Sequence, residues 1–582
     1  MTFLALLPQF QLWAMRGADW QGTYVSFDFD EVAYASYLNA LIDGRPRRND
    51  PYTGRDESLL QTRTESLHSI QFVAAYAAAF PARALGLSAG TTFIIIRGLA
   101  AFAATLVIFW LLLLMTGDQR VAAAGAIIVL CLGGLAGEPY DAWRIITLRG
   151  AGESLPFLRR YVPALVFPLF FALAALVWQA LQRAQVRVWR ATVAGLVLSL
   201  LIFSYFFLWT AAIAWLVVIA LLWLASRRTG KRDAMLVFGI VSGFAAITLI
   251  PYALFLARRA ATVDAAQLLT HSRAPVVSLP VVIGIVVLLI LLLAVTRGWL
   301  SWSTPPVLFT ASFALLPVVT FNQQLISGLL LQPVHYGRYI ANYTSVLAAF
   351  LTGTLILQRR QRTNQWAPRR WLLLLTLVIF GWAILETGVR GARSARHNVA
   401  RDEAQRVAWR LRQLSNQRLT KAGNHDAPVV FSSDILLGDT LPNLAPQPIL
   451  WTPHLFVFSG SSVEENRERL YQQLYYSGVD EHQFAALASS SSFLQLALFG
   501  WERMNQKAHT PGISSEAVRH ETSRFGKYVR DFNAQQAATP TLGYVVVPAT
   551  NGPSLINLDR WYERDAGERI GDYLLYRTRV RK

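Results

Sequence analysis

Residues 91–115 read TTFIIIRGLAAFAATLVIFWLLLLM, an apolar run long enough to cross the hydrocarbon core of a bilayer as one helix. A helix satisfies its own backbone polar groups, so a run of this kind needs no partner to enter lipid. Shorter or similar runs lie at 2–15, 121–137, 162–181, 191–207, 208–225, 234–250, 279–296, 304–321, 343–357 and 371–387. Together they predict about 11 spans, against a requirement of roughly 17 to 25 residues each. Composition agrees, since 54% of the 582 residues are hydrophobic and 15% are charged, which excludes an ordinary soluble domain. The run at 2–15 is short, lacks a basic flank and is not followed by a small-residue cleavage site, so it reads as a truncated first span rather than a signal peptide.

The net charge of +19 does not point to nucleic acid, because the basic residues sit mainly in short segments between spans. Arg359, Arg360, Arg362, Arg369 and Arg370 fill one such loop, Arg227, Arg228, Lys231 and Arg232 a second, and Arg183, Arg187 and Arg190 a third. All three fall on one side, which short basic loops mark as cytoplasmic. The long loop 16–90, the loops at 138–161, 251–278 and 322–342, and the C-terminal third are thereby expected outside, in a multi-pass protein of the cytoplasmic (inner) membrane. Cys131 is the sole cysteine and lies in an apolar run, which rules out an intramolecular disulfide and favours packing.

The sequence divides at 389/390. Residues 1–389 predict a helical polytopic membrane domain, and 390–582 a water-soluble extracytoplasmic α/β domain reached by an arginine-rich helix that leaves the membrane. Short β-prone runs at 429–431, 449–451, 544–547 and 573–576 alternate there with helical patterns at 463–476 and 516–536. No repeat, P-loop or glycine-rich dinucleotide fingerprint is present, which argues against an ATP-driven pump or a nicotinamide enzyme.

The chemistry-bearing signal is Phe27-Asp28-Phe29-Asp30-Glu31 in the long outer loop. Asp28 and Asp30 are two apart and Asp30 and Glu31 adjacent, so no single regular element points all three at one place; a junction entering a helix over 31–41 does. Asp is a favoured N-cap, so Asp30 has two competing readings, a helix cap and a reactive carboxylate. Glu65 and His68 share a helix face at i and i+3 and are weak metal candidates.

An outer acidic pair soon after the first span, followed by a helix and by Asp43-Gly44-Arg45-Pro46 and Asp50-Pro51-Tyr52, resembles the GT-C superfamily of membrane glycosyltransferases, such as protein O-mannosyltransferases and aminoarabinose transferases. The segment from Asn322-Gln323-Gln324 to Gln332-Pro333-Val334-His335-Tyr336 looks like that of uncharacterised bacterial members. The resemblance implies a polyprenyl-phosphate sugar as donor, a glycan, lipid or protein as acceptor, and inverting transfer at the outer face. Asp30 is then the general base, Glu31 its catalytic neighbour and Asp28 a binding group. Glu138 and Asp141 would bring further acid to the cavity. Arg159, Arg160, His335 and Arg338 are the candidates for the donor phosphate, because guanidinium forks match phosphate oxygens. No cofactor is required by this reading, and a divalent metal is left open. In the α/β domain, Asp434, Asp439 and His454 stand near strand ends, where such domains bind ligands. The rival functions are a transporter or flippase of an anionic lipid-linked substrate, which would place its polar groups near mid-membrane, and a non-catalytic scaffold.

Overall fold

In the computed structural model, helices stand over all eleven expected runs; it describes every residue except 57–63, 137–139, 148–160, 227–229, 267–268, 362–368, 420–427, 505–511 and 582. Among the described residues, seven helices are long and apolar enough to cross a membrane, including Ala89–Thr116, Leu279–Thr296 and the helix bearing Trp371. The remaining four, Thr2–Arg16, Gln119–Leu132, Phe167–Gln182 and Arg187–Ile202, have 14 to 16 residues, short of a straight crossing. Length and composition alone thus mark seven crossings among the described residues, and the count of about eleven is not reached by that measure. The bilayer-facing character is visible on Leu279–Thr296, where Val282, Ile285, Val286, Leu289 and Leu293 are exposed at helical spacing. Its opposite side packs closely on the next helix: a Cβ on Gly284 would lie 2.3 Å from the Ala314 carbonyl oxygen, so only glycine permits this approach.

The expected boundary at 389/390 falls inside an unbroken helix of 51 residues, Arg369–Leu419. At 1.5 Å per residue it is about 75 Å long. Its first half is apolar, and there Glu386 and Arg390 form a buried pair at 2.8 Å, with the Trp382 indole donating to the same carboxylate. Its far half joins the α/β domain.

Two short strands, β1 (Leu269–His271) and β2 (Leu329–Leu331), pair on their own. The domain sheet contains β3 (Val429–Ser432), β4 (Leu542–Pro548), β5 (Tyr562–Arg564), β6 (Glu568–Ile570) and β7 (Tyr573–Val580). Its order is β3-β4-β7-β5, with β6 also on β7; only β3 and β4 run parallel. The β-prone run at 449–451 contributes one bridge, Ile449 to Val430, and no strand. Side chains alternate as a pleated sheet demands. Val430, Tyr544, Val546 and Leu575 pack with Val407 and Leu411 of the long helix, and Phe431, Val545 and Val547 pack with Tyr475 and Tyr476 of helix Val463–Tyr476.

The domain is fastened to the long loop that follows the first helix. Ser36 donates to Asn443 at 2.8 Å, the amide of Ile449 to the Tyr52 carbonyl at 2.8 Å and the amide of Gly460 to buried Asp50 at 3.1 Å. Arg55 makes a two-point pair with Glu465 at 2.8 Å.

Candidate active site between the long first loop and the C-terminal domain

The segment leading to the acidic cluster has no strand to pair with, so side chains must take its backbone hydrogen bonds. Gln9 accepts from the amide of Val25 at 2.9 Å and donates to the Thr23 carbonyl at 3.2 Å. Asn398 on the long helix brackets Ser26, accepting its amide at 2.8 Å and donating to its carbonyl at 3.1 Å. Asp402, one turn on, accepts from the amide of Gln21 at 3.0 Å. The loop is therefore built against that helix, and the positions of residues 27–31 follow from it.

The three acids do different things. Glu31 is fully buried; one oxygen accepts the amides of Phe27 at 3.0 Å and Asp28 at 3.1 Å, and the other faces Arg97 at 3.8 Å. Arg97, also buried, donates to the Val25 carbonyl at 2.7 Å and lies over the Phe27 ring. Asp28 takes the amide of Asp30 at 3.1 Å, closing an Asx turn ahead of helix Glu31–Ile42. Asp30 occupies the N-cap position, yet its side chain makes no capping hydrogen bond and is 59% exposed. Of the two readings of Asp30, capping is the one its geometry does not show.

Above Asp30 stands His454, on the short turn Pro453–Val457 of the C-terminal domain. Its Nδ1 lies 2.7 Å from the buried Asp439 carboxylate, and its Nε2 faces Asp30 Oδ1 at 3.9 Å. The Phe29 ring stacks on the imidazole with centroids 4.3 Å apart. Burial alone would push the His454 pKa down; the Asp439 carboxylate, helped by Asp30, outweighs it and raises it from 6.5 to about 9. A raised folded-state value stabilises the fold fully below the ordinary histidine pKa and ceases to do so as pH climbs through about 9. The thermal midpoint of the wild type should therefore fall between pH 6.5 and 9 more steeply than that of His454→Gln, measured by thermal unfolding across that range.

Beside Asp28 and Phe29 opens a cavity of about 450 Å³. Its other walls are Arg390, Arg393, Ser394 and His397 of the long helix, and Leu436 and Phe493 of the domain. The helical spacing 390, 393, 397 places these basic groups on one face. Arg390 is neutralised by Glu386, whereas Arg393 has no acidic partner among the described residues.

The other expected residues are dispersed. His335 stacks on Phe207 with centroids 4.6 Å apart, and neither it nor Arg338 lines the cavity. Glu138, Arg159 and Arg160 lie outside the described residues, as does the side chain of Asp141. Glu65 forms a two-point pair with Arg47 at 2.7 Å, and the His68 ring stacks on Phe458. No group of three or more potential metal ligands occurs among the described residues. Sequence reading missed Arg97, Arg390, Arg393 and His397. A charge inside an apolar run was the available signal for Arg97, and basic residues three and four apart at a span's end for the others.

No protein-family model matches the chain, and no curated protein matches its sequence. Solved structures similar to it include ArnT from Cupriavidus metallidurans in the apo state, with 14% identity and a TM-score of 0.46 over 84% of this chain and 94% of that one. ArnT bound to undecaprenyl phosphate is similar over 98% of this chain and 97% of that one, with 11% identity and a TM-score of 0.42. The oligosaccharyltransferase AglB from Archaeoglobus fulgidus, in complex with an inhibitory peptide and a dolichol-phosphate, is similar over 94% of this chain and 69% of that one, with 10% identity and a TM-score of 0.47. Both proteins are GT-C superfamily membrane glycosyltransferases. At these identities no residue role passes from either to this chain.

Proposed function

We propose that this protein is an inverting glycosyltransferase that moves a sugar from a polyprenyl-phosphate carrier to an acceptor at the outer face of the cytoplasmic membrane, with Asp30 as general base. One observation carries the reading: the exposed Asp30 carboxylate directly follows Asp28 and Phe29, which line a cavity whose walls also include the basic side chains Arg390, Arg393 and His397 of a membrane helix. Acceptor activation and stabilisation of a departing phosphate need those two kinds of group. The acceptor oxygen attacks the anomeric carbon, its proton passes to Asp30, and the bond to the phosphate oxygen breaks to release the polyprenyl phosphate. Glu31 and Arg97 hold the turn that presents Asp30. The apolar side chains of Phe29, Phe493 and Leu436 in the cavity wall suit the apolar surface of a sugar ring, and the donor's lipid tail needs no more than the adjacent bilayer.

The test supplies the purified full chain with polyprenyl-phosphate sugars and follows polyprenyl phosphate release together with labelled product. Release coupled to product supports the proposal. Movement of lipid-linked sugar between vesicle leaflets without release would replace it with transport. Arg393→Gln should raise the donor KM about 10-fold or more, the scale of one lost charge-assisted hydrogen bond, while thermal unfolding stays unchanged because the residue is exposed.

A further inference from the structure

We propose that the C-terminal domain completes the reacting centre: His454, oriented by Asp439, is a positioning residue that holds the Asp30 carboxylate ionised and aimed. The inference deepens the assignment of Asp30 as base and rests on it.

The geometry gives His454 two unlike partners. Asp439 is fully buried and takes both the imidazole at Nδ1 and the amide of His454, at 3.4 Å, so the ring has one orientation. That orientation presents Nε2 to the first outer loop at Asp30. Phe29 closes one face of the ring, packed in turn on Phe493 at 4.7 Å. A histidine serving only the domain's own packing has no need to expose its second nitrogen toward a carboxylate from another part of the chain.

The chemistry supplies such a need. Asp28 and Asp30 lie two residues apart, and a lipid-phosphate donor adds a further negative charge. Both effects favour protonation of Asp30, which would end its use as a base. A fixed cation within about 4–6 Å opposes that change, and a cation that is itself buried and already paired has little freedom to leave. His454 carries no proton to or from the substrate in this arrangement; the proton from the acceptor stays on Asp30. The ionisable groups facing the imidazole are Asp439 from its own domain, Asp30 at the head of helix Glu31–Ile42, and Tyr52 from the first loop, with ring centroids 6.4 Å apart.

Coupling of this kind is reciprocal, so it can be read from His454 without any donor. Full-length protein labelled with ¹³C-histidine is titrated by NMR in detergent, the His454 signal being the one lost in His454→Gln. Where that variant does not accumulate, Asp439→Glu shifts the same signal and provides the assignment. The expected result is an apparent pKa near 9 in the wild type, lower by about one unit in Asp30→Asn. Identical titration in wild type and Asp30→Asn would overturn the inference. Turnover separates it from the assignment beneath it. Loss of polyprenyl phosphate release in Asp30→Asn with an unmoved His454 signal removes the coupling alone, whereas full release in Asp30→Asn removes the base. With both in place, His454→Gln should shift the acidic limb of the kcat/KM profile upward by about one pH unit.

Discussion

Asp30→Asn should lower the rate of polyprenyl phosphate release by about 10²–10⁴-fold, the usual contribution of a positioned general base. Asparagine keeps the shape of the side chain and removes its capacity to take a proton, so the loss should fall on kcat more than on donor KM. The fold should lose no more than the share of the His454 interaction that Asp30 supplies, and nothing above about pH 9, where that imidazole is neutral. The Asp30 side chain makes no capping hydrogen bond and is more than half exposed, and the helix entrance is secured instead by Asp28 and Glu31. Thermal unfolding above about pH 9, where the His454 coupling has gone, distinguishes the two interpretations: a slower enzyme with an unchanged midpoint there fits a base, and a lowered midpoint there would mark Asp30 as structural.

Glu31→Leu should have the opposite signature, a loss of about 3–5 kcal/mol in stability. It leaves the Arg97 guanidinium buried without its carboxylate, and it strips the amides of Phe27 and Asp28 of their acceptor. Pairing it with Arg97→Met should recover part of the loss, because two apolar side chains then replace two buried charges and only the amides remain unserved. A double-mutant cycle on the unfolding midpoint in detergent checks this. Additivity of the two changes would show that the 3.8 Å contact contributes nothing.

The helical body and the α/β domain were legible because bilayer thickness and the pleat of a sheet write simple periods into the chain. Helix Val463–Tyr476 is found at its expected bounds, and β3, β4 and β7 fall on expected runs. The run 449–451 has strand-like residues, but those residues serve to receive Tyr52 from the first loop and form a single bridge. At the site, residue type misled where neighbours compete. Asp30 is a good cap by identity, yet Asp28 reaches the amide at the helix entrance and the Asp30 carboxylate faces His454 instead. Glu31 was read as part of the reacting group, and it lies buried on Arg97, a partner within residues 91–115 that no local pattern connects to it. His454 and Asp439 stood out near strand ends, but their meeting with Asp30 is a product of domain docking, which spacing does not encode.

The unbroken helix Arg369–Leu419 carries a consequence of phase. Each α-helical residue advances about 1.5 Å and turns about 100°. Arg393 in the cavity wall, Asn398 on Ser26 and Val407 under the sheet are thus locked to one rotational setting, with no joint between them to absorb an error. A single residue inserted at 391–396 would leave every side chain chemically intact and swing the α/β domain about a quarter turn away from the loop it serves. The helix acts as an indexing shaft, and the length of its exit from the membrane is as constrained as the identity of any residue it positions.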